Sequence, residues 1–77
     1  MGKKFPIVNY RQLVKVAKKL GFYLCRETKG SHEIWRRDSD GQQTTIPKHG
    51  SKIIKRKTIK SILKDFGITV DDFSRLR

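Results

Sequence analysis

Lys29-Gly30-Ser31-His32-Glu33-Ile34-Trp35 reads as a turn running into a strand, and the segments on either side of it decide the fold. Before it, Phe22 to Glu27 is rich in aromatic and apolar residues and too short for a helix between Gly21 and Gly30, which predicts a strand. Lys29-Gly30 turns the chain and Ser31 to Arg37 is the second strand. Asp38-Ser39-Asp40-Gly41 has the composition of a hairpin loop. Gln42 to Ile46 makes a third strand, stopped by Pro47, which has no N–H for a ladder. Three consecutive strands with short connections form an antiparallel meander, with one face on helices and the other in solvent.

The flanks supply the helices. Asn9 is placed to cap a first helix, Tyr10 to Leu20, with Gln12 completing a capping box. Leu13, Val16, Ala17 and Leu20 recur at helical spacing, and Gly21 stands where a left-handed terminator belongs. Towards the C-terminus Ile59, Ile62, Leu63 and Phe66 repeat at i, i+3, i+4 and i+7 before Gly67. Thr69, with Asp71 and Asp72 behind it, can cap a last short helix that folds Phe73 back. The expected fold class is α+β: a two-layer sandwich in the order α-β-β-β-α, with a three-stranded antiparallel sheet, helices on one face and a short C-terminal helical appendage.

At 77 residues and 35% hydrophobic content the chain, residues 1–77, is expected to form one domain with a thin core. One cysteine cannot form an intramolecular disulfide, which favours a reducing cytoplasm. No apolar run approaches the roughly 20 residues of a membrane span, and the N-terminus does not read as a signal peptide. A soluble, cytoplasmic protein with no membrane partner is expected.

The net charge is +12, and it is uneven. From Gly41 to Lys64 there is no acidic residue, while Lys48, Lys52, Lys55, Arg56, Lys57, Lys60 and Lys64 all fall there. Such a block attracts phosphate, so nucleic acid is the expected partner; a merely solvated helix flank is the bland alternative.

A basic scaffold that also breaks a polyanion needs a group that exchanges protons near neutral pH, and an imidazole, ordinarily titrating at about 6.5, is the natural one. RNA carries its own nucleophile in the 2′-hydroxyl. A base, an acid for the leaving oxygen and cations for the phosphate then suffice, without cofactor or metal. His32 is the candidate, although by spacing alone an ordinary surface histidine is the commoner reading. Strand alternation leaves its orientation open: His32, Ile34 and Arg36 share one face, Glu33, Trp35 and Arg37 the other, and each set holds one apolar residue. If Trp35 is core, His32 lies on the open face; if Ile34 faces the helices, His32 points that way too but stands at the strand's end, where it could emerge at the sheet edge, and Trp35 could stack on a base. The two histidines, Cys25 and the scattered acids do not make a metal-ligand set, and Cys25 reads as a small buried hydrophobe.

The ordered set of a first helix ending in Leu20-Gly21-Phe22, then Lys29-Gly30-Ser31-His32, then Ile46-Pro47-Lys48-His49, then Thr58 to Lys64 followed by Asp65-Phe66-Gly67-Ile68 resembles the HicA family of toxin–antitoxin systems, over about Tyr10 to Phe73. The resemblance implies a fold like the double-stranded-RNA-binding domain, an endoribonuclease acting on mRNA, and a cognate HicB-like antitoxin that covers the active site. It matches His32 to the family's catalytic histidine and His49 to a position where members often carry histidine. Glu33 and Trp35 stand where the family usually has an aromatic or variable residue.

Around His32, Gly30 allows a positive φ and a close phosphate approach, and Ser31 could bond a phosphate oxygen or simply satisfy the turn. Arg36, Arg37, Lys48, Lys52, Lys55, Arg56 and Lys57 are candidate phosphate contacts. His49 is a phosphate contact, a loop residue or a second proton-transfer group. The alternative reading is a non-catalytic RNA-binding module of the same fold, which would read duplex shape and need no histidine after Gly30-Ser31.

Overall fold

The computed structural model describes residues 6–48 and 53–77. The order is α1 (Tyr10–Lys19), β1 (Tyr23–Glu27), β2 (His32–Arg37), β3 (Gln42–Pro47), α2 (Arg56–Phe66) and α3 (Val70–Leu76). The strands pair antiparallel in the order β1-β2-β3, which is the α+β arrangement and meander that the sequence predicts.

α1 begins as its sequence requires. The Asn9 side chain accepts from the Gln12 N–H at 3.0 Å, and the Gln12 side chain accepts from the Asn9 N–H at 3.2 Å. Leu13, Val16 and Ala17 form its buried stripe. The end is a Schellman turn: Gly21 takes φ +90°, its N–H donates to the Lys18 carbonyl, and the Phe22 N–H donates to the Ala17 carbonyl. A side chain at 21 would strain that left-handed residue. The turn seats Phe22 in the core against Phe66, ring centres 5.1 Å apart, so Phe22 precedes β1 as an anchor instead of opening the strand.

The register fixes the faces. Glu33 lies opposite Ile46 and Trp35 opposite Thr44; all four are buried, on the side of α1 and α2. His32, Ile34 and Arg36 lie opposite Pro47, Thr45 and Gln43, on the open side. Trp35 is therefore core, at 3% exposure, not a stacking platform. Pro47 is the last residue of β3 and pairs with His32; at the end of an edge strand its missing N–H costs nothing.

One expectation fails. Cys25 is exposed, and so is every other residue of β1, an edge strand of the sheet that the helices barely touch. With both faces of β1 open to solvent, neither parity of the strand reaches the core; the bulge between Leu24 and Arg26 breaks the alternation besides.

The Thr69 hydroxyl accepts from the Asp72 N–H at 3.1 Å and caps α3, whose Phe73 is fully buried. A short isolated bridge, Asn9 with Ile53, brings the segment ahead of α2 beside the start of α1. Among the described residues no helix is long and apolar enough to cross a membrane.

Candidate functional site

The turn into β2 is held from both sides. Gly30 has φ +86°, and a Cβ built there would meet nothing within 4 Å, so it is the left-handed backbone and not crowding that calls for glycine. The Thr28 N–H and hydroxyl both donate to the His32 carbonyl, at 3.0 and 3.2 Å. From the other strand the Lys48 N–H donates to the Ser31 carbonyl. The backbone at Ser31-His32 is thus fixed by β1 and β3 together, while both side chains are exposed.

His32 lines a pocket of about 520 Å³ at the edge of the open face. Thr45 and Pro47 of β3 form one wall with it; Ile53, Ile54, Lys55 and Thr58 form the other. Lys55 is the N-cap of α2 and gives it no side-chain cap. The positive end of the helix dipole, reinforced by exposed Lys55, Arg56 and Lys57, therefore sits at the pocket wall across from an imidazole. The arrangement suits an anion that is to be approached by a proton donor or acceptor.

Directly beneath, on the core face, lies a carboxylate. Glu33 is 2% exposed. Its Oε1 accepts from the Tyr10 hydroxyl at 2.6 Å and from Trp35 Nε1 at 3.1 Å, and its Oε2 is 4.0 Å from Lys48 Nζ. Burial, and then the hydrogen bond to this carboxylate, push the Tyr10 hydroxyl up to about 12. Sequence reasoning noted that Glu33 shares a face with Trp35 but missed this cluster; the signal available was an acid at a core-facing strand position, which needs partners when buried.

The other candidates separate. Lys48 is an exposed residue shared between Glu27, at 3.7 Å, and Glu33. Arg36 stands on the open face, four residues along β2 from His32, paired with Asp38 at 3.2 Å. Arg37 is bound into the helix side: it donates to the Leu20 carbonyl and to both oxygens of Asp40, and its guanidinium lies 4.6 Å from the Phe22 ring centre. The Arg37 hydrogen bond, helped by the Gln42 N–H, holds the Asp40 carboxyl down at about 2. His49 and Lys52 lie outside the described residues. Among the described residues no three of His, Cys, Asp or Glu stand close enough to share a metal ion.

Small size, high positive charge and an exposed histidine sharing a pocket with the N-cap of α2 describe a basic α+β protein. A family model described as "HicA toxin of bacterial toxin-antitoxin" matches residues 10–68, from the start of α1 past the end of α2, and the chain belongs to this HicA family. It is the toxin of a toxin–antitoxin system, and an antitoxin is its expected partner. A search of curated proteins finds no match.

Proposed function

We propose that this toxin is an endoribonuclease that cuts mRNA without a metal ion, with His32 as its general acid and base. The supporting observation is His32 in one pocket with Lys55 and Thr58 at the start of α2, on the open face of the sheet. Phosphate sits against Lys55 and the first turn of α2, where cations and the helix dipole favour the charge that builds up in the transition state. The imidazole takes the proton of the 2′-hydroxyl, the 2′-oxygen bonds to phosphorus, and the bond to the 5′-oxygen breaks. That oxygen receives the proton in turn, leaving a cyclic 2′,3′-phosphate and a 5′-hydroxyl; no water or cofactor is consumed. Positioned proton transfer of this kind supplies on the order of 10²–10⁴-fold in rate.

Gly30 and Ser31 give the backbone approach to the phosphate, and Lys48, Lys55, Arg56 and Lys57, with Arg36 further along the open face, hold its neighbours. His49 and Lys52 belong to the same basic stretch by sequence. Residues 1–77 act as one domain, in the cytoplasm, and a HicB-like antitoxin that covers His32 keeps it silent.

The test is cleavage of single-stranded RNA by the purified protein in excess EDTA, alongside growth after expression without the partner. Degradation in EDTA and growth arrest are expected. Strict dependence on an added divalent metal contradicts the mechanism. RNA binding without any cleavage makes the protein a binding module instead.

A further inference from the structure

We propose that the pocket beside His32 holds one unstacked nucleobase of single-stranded RNA, seated against Ile53 and Pro47, so that the substrate is gripped by a base as well as by its phosphates. This rests on the reading of the protein as an RNA-directed toxin and adds to it the form of RNA that the site accepts.

Ile53 carries the argument. It is 65% exposed, yet it is not a loose surface residue, because its backbone is pinned. It bridges to Asn9, and the next residue, Ile54, donates its N–H to the Val8 carbonyl at 2.9 Å. That pairing turns Ile54 into the core, at 5% exposure, and holds Ile53 out on the pocket wall. Pro47, buried and paired with His32 in the register, lines the same pocket. A site for phosphate alone has no use for two apolar walls, since phosphate is recognised by charge and hydrogen bonds. A nucleobase has two apolar faces and a polar edge, and the wall residues Thr45 and Thr58 bring hydroxyls that suit an edge.

Size and charge agree. A volume of about 520 Å³ lies within the roughly 300–1,000 Å³ range of small-ligand sites, and Lys55 on the rim matches the phosphate that any nucleotide brings. Duplex RNA keeps its bases stacked and offers mainly sugars and phosphates to a protein. It cannot fill this pocket, although the fold class is one that elsewhere reads duplexes. Only a single strand, a loop or an end can put a base there.

The test uses the full chain labelled at its isoleucine δ1 methyls, titrated to millimolar concentration with each of the four nucleoside 5′-monophosphates, and separately with ribose 5-phosphate and inorganic phosphate. At least one nucleotide should move the Ile53 methyl through the ring current of its base, and the two base-free compounds should not. Movement of Ile53 by ribose 5-phosphate to the same extent, or by no nucleotide, overturns the proposal. In a second arm, Ile53→Ala should weaken binding of an uncleavable 2′-O-methyl single strand by about tenfold and leave binding of the corresponding duplex unchanged. No loss on the single strand, or an equal loss on the duplex, also overturns it. Both arms read binding, so a protein that fails to cut RNA can still pass them, and one that cuts RNA can still fail them.

Discussion

Arg36 and Arg37 are neighbours on β2, and the chain uses them in opposite ways. Arg37 points to the helices, where its guanidinium meets Asp40, the Leu20 carbonyl and the Phe22 ring. Arg36 points to the open face and pairs with the exposed Asp38. The same division runs down the whole strand. Glu33 and Trp35 build a buried hydrogen-bonded cluster with Tyr10, while His32 and Ile34 are turned outwards. Period-two alternation thus lets six residues serve as both core wall and open surface.

If that division is right, substitutions on the two faces separate cleanly, and the largest stability effect comes from the buried acid. Glu33→Ala removes the acceptor of both Tyr10 and Trp35 Nε1 and should lower unfolding free energy by about 2–4 kcal/mol. Glu33→Gln keeps an acceptor oxygen and should cost about half as much, as read by chemical denaturation. Equal costs for the two would mean that the hydrogen bonds contribute little.

Arg37→Ala comes next, at about 1–2 kcal/mol, through the lost hydrogen bonds and the uncovered Phe22 ring. Arg36→Ala should stay within about 0.5 kcal/mol, since an exposed ion pair contributes little. A reversal of that order would break the comparison at its root.

Tyr10→Phe should cost about 1 kcal/mol near pH 8 and show a pH signature. The Tyr10 hydroxyl titrates at about 12 in the folded protein against an ordinary 10.0. Its contribution is therefore complete below pH 10 and is lost as pH rises towards 12. The stability gap between wild type and Tyr10→Phe should shrink across that interval; a constant gap would mean that the hydroxyl is not held by the carboxylate.

The smallest stability effect belongs to the exposed basic residues at the start of α2. Changing Lys55, Arg56 and Lys57 together to alanine should move stability by less than about 0.5 kcal/mol. The salt dependence of single-stranded RNA binding should fall by about 2, at roughly 0.7 per lost phosphate contact. An unchanged slope would put the RNA elsewhere.

Much of this was legible in the sequence because local chemistry wrote it there. Asn9 with Gln12, Gly21 after a helical stripe, and the Asp38–Gly41 loop each specify their element without help from distant residues. The orientation of β2 was not legible. Ile34 and Trp35 gave each face one apolar residue, and the tie is broken by Tyr10, far away in sequence, which meets Glu33 only after α1 packs on the sheet. The exposure of Cys25 was not legible either, because which strand the helices leave uncovered is decided by packing and not by the residues of that strand. The pocket stayed hidden for the same reason, since Ile53 reaches His32 through a pairing with Asn9.

The account stands most directly on His32→Ala, read for cleavage in EDTA and for thermal stability in the same preparation. Cleavage should fall by about 10²–10⁴-fold while stability changes by less than about 1 kcal/mol and RNA affinity holds, since the attraction is proposed to come from the lysines and arginines. Cleavage near the wild-type rate would remove His32 from the chemistry, and loss of the fold would make it a structural residue of the strand.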